Sequence, residues 1–556
     1  MAGNYFIKHI DVKEPVETIF GWHEKNGAFE RLTPPWMKLK NIHKTGNGIE
    51  TGAKVNMDIC FAGIPVPMKA EHTGYAKNKF FRDQLYGGPF AKWEHTHTFS
   101  SPVSYEVSSA ESQNISSTSI NTPPTIDSPI VLPPRIAISR LEDRIDYALP
   151  FHIPDKWHEF IKAELYRLFN YRHTVMVTDL ERHRNYELRK NQMGSDHTNN
   201  QMGSGYINSS NYSTLKDSKL HANRLKPLTI LISGASGPVG NALIPFLTTG
   251  GHRIIKLVRS TPEVKYNPEI GAASSTARVD ITGRQDLGSV NEIQWDPYTG
   301  MLDLEPEGKI DVVINLNGYH IGSGRWTDQK KAIIIKSRNL STTLLADRIA
   351  SLPHKLRPEL FISASATGFY GDCGDECLNE NSCSGNLFIS QVCSEWEDSA
   401  NKVQEAGIRT VFARMGVVLT PAGGALERLL PGFMMGLGAK IGTGEQYMSW
   451  ISMDDLVYAL HHIMIDSSIH GAVNMIAPNP VTNSNFTQTL AKVLSRPAKF
   501  TLPSSIIRMV WGEMGQEVLL ASTRVTPERL TNSGFKFSHP TLEQALRHLL
   551  GKTIQV

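Results

Sequence analysis

Cysteine is scarce in this chain, with five in 556 residues. That number cannot build a disulfide framework and argues against a cystine-stapled secreted fold. Cys373, Cys377, Cys383 and Cys393 fall close together, but without the tight Cys-x-x-Cys knuckle of structural zinc sites. They read as free thiols, and no metal site is expected. An excess of one charge is lacking too: 57 Lys and Arg stand against 54 Asp and Glu, a formal net charge of +3. Such balance gives no case for nucleic acid or an anionic membrane as partner. No apolar run is long enough to span a bilayer, and Met1–Lys8 passes straight into a strand-like pattern, leaving no room for a signal or transit peptide. A reduced, cytoplasmic setting is expected.

What the chain does have is one stretch around which the rest is organised. The apolar run Leu228–Ile232 feeds into Gly234-Ala235-Ser236-Gly237-Pro238-Val239-Gly240, and helical spacing resumes at Ala242. This is a first strand, a tight turn and a helix whose N-terminus faces a pyrophosphate. The glycines let the backbone turn and let phosphate oxygens approach the amides. Gly234, Ser236, Gly237, Pro238, Val239 and Gly240 are therefore the expected cofactor contacts. A second strand follows at His252–Val258, and then Arg259. NAD-binding units carry an acidic residue about 20 residues past the glycines, on the ribose hydroxyls, whereas an arginine there accommodates a 2′-phosphate. Arg259 thus favours NADP(H), with NAD(H) the lesser candidate.

At 556 residues the chain exceeds one core, and two or three domains are expected. Residues 1 to 185 read as the first. Asn4–Val12 alternates like a strand, and Pro15 opens a helix with Val16, Ile19, Phe20 and His23 on one side. Short alternating runs follow at Lys54–Phe61, Met68–Tyr75, Phe80–Tyr86, Trp93–Phe99 and Ile138–Tyr147. A helical pattern from Asp155 to Arg184 closes the unit, with Trp157, Ile161, Leu165, Leu168 and Val175 along one face. An α+β fold, a curved antiparallel sheet around one long helix, accounts for this order. His95 and His97 would share one strand face, the spacing a metal pair uses. With no third ligand candidate nearby they read as half-buried sheet histidines. The segments Leu32-Thr33-Pro34-Pro35-Trp36, Gly88–His97 and Leu141–Tyr147 resemble the START/polyketide-cyclase-like superfamily, the helix-grip fold. That resemblance implies a cavity between sheet and helix for an apolar ligand.

Two tracts read as disordered: a Ser, Thr and Pro-rich insertion at 100 to 134, and a linker at 186 to 226 that repeats Asn-Gln-Met-Gly-Ser. Such a linker would leave the two folded parts free to reorient. A third soft insertion is expected at about 261 to 290.

Residues 227 to 500 read as an α/β Rossmann unit, a doubly wound parallel sheet. Asp311–Gly318, Leu360–Thr367 and Arg409–Leu419 are its later strands. Ligands bind outside the carboxyl ends of such strands, so Asn317, Gly318 and Ser365 should converge on one crevice. A small C-terminal helical extension, 501 to 556, begins with a helix over 502–521 that turns Ile506, Met509, Val510, Met514 and Val518 inward; Thr541–Gln544 then opens the last helix with a capping box.

The segments Gly234–Gly240, Asn315–Gly318, Gly324-Arg325-Trp326-Thr327, Ser363–Asp372, Met448–Ile451 and Ala477–Asn483 occur in order. Together they resemble the atypical, extended short-chain dehydrogenase/reductases of the NAD(P)-dependent epimerase-like group, cell-division-inhibitor-like members included. Active members of that superfamily use Tyr-x-x-x-Lys on a helix, with a serine nearby. The lysine lowers the phenol pKa for proton exchange while hydride moves. The aligned stretch here is Phe388-Ile389-Ser390-Gln391-Val392, and neither Phe388 nor Val392 transfers a proton. Tyr370 is a substitute in principle, but Gly374 stands where its lysine would be. Ser365 alone carries over as a catalytic candidate. The expected function is NADP(H)-dependent oxidoreductase or epimerase chemistry on a small-molecule substrate. The alternative is a non-catalytic nucleotide-binding sensor.

Overall fold

The computed structural model describes residues 4–46, 48–61, 64–101, 138–150, 155–196, 227–259 and 288–552. Most of the insertion at 100 to 134, most of the tract at 186 to 226 and most of the insertion at 261 to 290 lie outside these.

The N-terminal unit is a seven-stranded antiparallel sheet. Its strands are β1 (Asn4–Val12), β2 (Lys38–Thr45), β3 (Lys54–Phe61), β4 (Ile64–Ala76), β5 (Phe80–Gly87), β6 (Lys92–Ser100) and β7 (Ser139–Ala148), in the order β1-β7-β6-β5-β4-β3-β2. Two short helices, α1 (Val16–Glu24) and α2 (Ala28–Leu32), join β1 to β2, and α3 (Asp155–Asp196) lies across the sheet. β2 escaped the sequence reading because its residues are nearly all exposed, so it carries no alternation to read. Helix α3 buries Leu165, Phe169, Val175, Met176 and Leu180. Trp157, expected on that face, is 52% exposed, and the helix continues to Asp196, past the boundary expected at 185.

The C-terminal unit is a seven-stranded parallel sheet. Its elements are β8 (Thr229–Ser233), α4 (Pro238–Thr249), β9 (Arg253–Arg259), β10 (Val290–Trp295), β11 (Val312–Asn315), α5 (Asp328–Ser351), β12 (Leu360–Ala366), α6 (Phe388–Asp398), β13 (Arg409–Met415), α7 (Gly424–Met434), α8 (Met453–Ile465) and β14 (Gly471–Met475). The strand order β10-β9-β8-β11-β12-β13-β14 reverses between β8 and β11, which opens a crevice at their carboxyl ends. Strands β8, β11 and β12 are buried almost throughout, as expected for a sheet covered on both faces. In the extension, α9 (Ser504–Trp511) buries Ile507, and Met514 is buried beyond it. Ile506, Met509, Val510 and Val518 are exposed, so the inward face expected for 502–521 is largely corrected. Within α9 only Ile507 turns to the core, leaving Ile506, Met509 and Val510 outside, and the helix breaks at Gly512, in the left-handed region at φ 60°, before Met514 and Val518.

The two units, expected to reorient freely, are docked. Gly27, φ 95°, sits so close to α4 that a Cβ would lie 2.5 Å from the Pro245 carbonyl oxygen. Lys25 Nζ donates to the Thr249 carbonyl at 2.8 Å, and Arg167 donates to the Leu550 carbonyl at 2.7 Å. Between them, Arg31 of α2 donates to Asp179 of α3 at 2.7 and 2.8 Å, to Asp454 of α8 at 3.1 Å and to Tyr458 at 3.2 Å. All four side chains are buried. Arg31 and Asp179 of one unit meeting Asp454 and Tyr458 of the other fix the orientation, because separation would strand Asp454.

Candidate functional site

The site begins with the turn after β8. Gly234 adopts φ 69°, and a Cβ there would lie 2.7 Å from the Leu316 carbonyl, at the exit of β11. Gly240 packs the first turn of α4 onto the loop, where a Cβ would lie 2.5 Å from the Ala235 oxygen. Gly237 is the N-cap residue of α4 and has no such crowding: a Cβ would meet only the Gly234 oxygen, at 3.3 Å. No side chain caps α4, no acidic residue stands in its first turn, and Pro238 occupies the first helical positions. The positive end of the helix dipole is therefore uncompensated by protein, and Ser236 and Pro238 are exposed beside it. These features fit a dinucleotide pyrophosphate.

Arg259 ends β9, exposed, at the same edge. Asn317 is half-buried just past β11; its amide nitrogen donates to the Ser337 carbonyl at 3.4 Å. Gly318 is exposed, with the buried Arg338 guanidinium 3.3 Å from where a Cβ would lie. The structure thus brings the turn, Arg259, Asn317 and Gly318 to one crevice mouth. Below it, Ser233 donates to Asn315 at 2.6 Å, and Asn315 donates to Thr342 at 2.8 Å, tying β8, β11 and α5 together.

Ser365 is placed differently from the expectation. Its hydroxyl, 3% exposed, donates to Glu397 of α6 at 2.7 Å. Arg414 grips both oxygens of Glu397 at 2.9 Å and donates to the Tyr370 hydroxyl at 3.1 Å, which donates to Asn474 at 2.7 Å. In a strand, alternate residues share a face, and Ser365 follows Ser363 toward α5 and α6 rather than the open crevice. Tyr370 is equally committed, and burial raises its phenol above the ordinary range. Phe388 opens α6 with its ring 5.1 Å from Trp326. Val392 is 1% exposed in a cluster with Trp326, Ile334, Ile389 and Met514. Glu517, from the C-terminal extension, accepts from the Phe388 and Ile389 amides at 3.3 and 3.0 Å.

Sequence reading missed the loop after Gly318. Tyr319 and His320 are exposed at the crevice mouth, and His320 stands 3.0 Å from the Gly322 amide and 3.2 Å from Arg428 of α7. Burial, then Arg428 and Arg338, lower its pKa. The adjacency of Gly318 to Tyr319-His320 was the available signal.

A space of about 440 Å³ lies between the units, lined by Glu30, Pro34, Tyr171, Ser236, Pro238 and Thr420 among others. Between the sheet and α3 lies a space of about 10 Å³, lined by His23, His97, Asp143, Arg172 and His173 as well as apolar groups. Phe20, Phe81, Phe99 and Phe169 are buried in the same interior. The absence of a third ligand beside His95 and His97 is corrected, since Asp83 faces them from β5.

A buried parallel sheet with this turn at its switch point defines a dinucleotide-binding α/β protein. The chain belongs to the NAD dependent epimerase/dehydratase family, whose model matches residues 230–475; a domain of unknown function, DUF1731, matches 502–549. It is 36% identical over 317 residues to an epimerase family protein of Mycobacterium bovis, covering 57% of this chain and 96% of that one. The human epimerase family protein SDR39U1 is 30% identical over 328 residues, 58% of this chain and 100% of that one. The crystal structure of a nucleoside-diphosphate sugar epimerase from Corynebacterium glutamicum is 26% identical with a TM-score of 0.64, and covers 98% of this chain and 90% of that one. That likeness runs through both units. No helix among the described residues is long and apolar enough to cross a membrane.

Proposed function

We propose that this chain is an NADP(H)-dependent oxidoreductase or epimerase acting on a small molecule in the crevice at the β8–β11 switch point. The observation that carries the reading is the α4 N-terminus, which lacks a side-chain cap and a first-turn carboxylate and has Arg259 at its flank. When bound, the nicotinamide supplies or accepts hydride. The chain's own part is to hold the pyrophosphate on the turn and the 2′-phosphate on Arg259. Proton transfer then falls to a group other than a tyrosine on α6, and His320 is the titratable side chain at the mouth that suits it.

A second reading, a nucleotide-binding sensor without turnover, is favoured by one observation: Val392 is sealed in an apolar cluster where a catalytic lysine would stand. We read the N-terminal unit as a helix-grip domain, on the strength of its antiparallel sheet and long α3. The space it shares with Ser236 and Pro238 is the place for a molecule sensed by both units.

Calorimetric titration tests the cofactor assignment. Arg259→Ala should weaken NADPH by roughly 1–3 kcal/mol, the worth of a charge-assisted hydrogen bond, and leave NADH nearly unchanged. Equal losses for both would overturn it. Turnover separates the two readings: His320→Gln should lower NADPH oxidation across a carbonyl and sugar-nucleotide panel without changing NADPH affinity. A wild type that binds NADPH yet shows no hydride exchange on that panel is the sensor.

A further inference from the structure

Histidines and aspartates meet in the interior of the N-terminal unit, far from the dinucleotide turn in the chain. His95 and His97 lie two apart on β6, so both rings take the inner face, with centroids 3.9 Å apart. Asp83 of β5 is the direct cross-strand neighbour of His95, its Oδ2 3.4 Å from His95 Nδ1. Asp143 of β7 pairs in register with His97. Its Oδ1 stands 3.1 Å from His95 Nε2 and 2.6 Å from His97 Nδ1, and its Oδ2 stands 2.6 Å from Nε2 of His173 on α3.

We propose that Asp83, His95 and His97 ligate a divalent first-row transition-metal ion, with Asp143 and His173 as the outer shell that orients the imidazoles. One ligand atom from each of the three lies within 4.8 Å of the others. Bonds of about 2.0–2.2 Å to nitrogen and oxygen span that triangle after small side-chain rotations. The donors are imidazole and carboxylate with no thiolate, a set that suits zinc, iron or cobalt and disfavours copper(I).

Two features of the surroundings point the same way. Asp143 is 1% exposed, and the interior holds Asp83 as well. A carboxylate buried as Asp143 is costs several kcal/mol unless it is compensated. Arg172, which lines the same space and donates its Nε to the Leu32 carbonyl at 3.1 Å, supplies one positive charge near Asp143 and Asp83. A dication held there would offset both carboxylates while the imidazoles stay neutral. Second, His97 Nδ1 faces Asp143 Oδ1 at 2.6 Å, the contact of an outer-shell carboxylate that leaves the ring's Nε2 to a metal. The adjoining space of about 10 Å³, bounded by His97, Asp143 and His173, has room for about one water.

The test uses the purified full-length chain, stripped with a chelator and titrated with zinc chloride and, separately, cobalt(II) chloride. One equivalent of zinc per chain by elemental analysis, together with visible cobalt d–d absorption, is the expected result. His97→Gln and Asp83→Asn, made singly and checked for folding by circular dichroism, should each weaken binding by at least about tenfold. Asp83 is the partly exposed member, so its variant keeps the test alive where His97→Gln does not fold. A Cys377→Ser, Cys383→Ser chain should bind as the wild type does, which excludes the exposed thiols. A wild type that takes up no zinc or cobalt, or variants that bind undiminished, would show the cluster to be an ion-pair network alone and overturn the proposal.

Discussion

Arg31 and Asp454 are 423 residues apart along the chain and 3.1 Å apart in space, and this contact joins the two units. Burial alone would raise the Asp454 carboxyl; Arg31 and His548 together hold it below the ordinary carboxylate range. The same guanidinium reaches both oxygens of Asp179.

Arg31→Met should therefore destabilise the chain by about 3–5 kcal/mol, because it strands two buried carboxylates. Arg31→Lys should recover little of that loss, since one ammonium lacks the fork that engages Asp179 and Asp454 together. Chemical unfolding checks both, and a midpoint unchanged in Arg31→Met would refute the docking role.

The glycines of the turn should separate by phenotype. Gly237 has room for a side chain, so Gly237→Asp should fold normally yet lose NADPH binding, because its carboxylate repels the pyrophosphate. Gly240→Ala meets the Ala235 backbone at 2.5 Å and should cost roughly 1–3 kcal/mol of stability by overpacking. Calorimetry and thermal melts on the pair would read the two effects independently.

Rebuilding the missing pair should fail. In Phe388→Tyr with Val392→Lys, the new ammonium enters the cluster of Trp326, Ile334, Ile389 and Met514, where an unpaired charge is strongly disfavoured. A loss of stability without new carbonyl reduction is expected. Gain of NADPH oxidation in the double variant would mean that α6 can present the pair after all. Ser365→Ala should cost about 1.5–3 kcal/mol of stability, the loss of one hydrogen bond to the Glu397 carboxylate, and leave NADPH affinity intact.

Acid should loosen the seam between α3 and the C-terminal unit. Burial, then His461 and Lys25, pull His183 well below the usual histidine range; burial and His252 do the same to His461. The unfolded chain takes up these protons from about pH 6.5 downward, while the folded chain does not. Their contribution to stability is therefore complete above about pH 6.5 and declines as pH falls toward the lowered folded values. Melting temperatures between about pH 7.5 and about pH 5 should drop accordingly, and His461→Phe should flatten that limb.

Local pattern was enough for most of the elements. Alternation placed Asn4–Val12 and Lys54–Phe61 at the bounds the structure gives, and the glycine spacing located the β8–α4 turn, because strand period and turn chemistry are properties of neighbouring residues. It failed where burial came from afar. Ser365 looks like a crevice hydroxyl until α6 brings Glu397 to it. Met509 and Val510 fit an inward period, yet α9 turns Ile507 to the core and leaves them exposed. Asp83 and Asp143 joined His95 and His97 only through strand pairing. The docking of the two units was invisible for the same reason: Arg31 reads as an ordinary charged residue. Only the tertiary structure, by removing water from Arg31, Asp179 and Asp454 at once, made their mutual attraction strong enough to set one unit against the other.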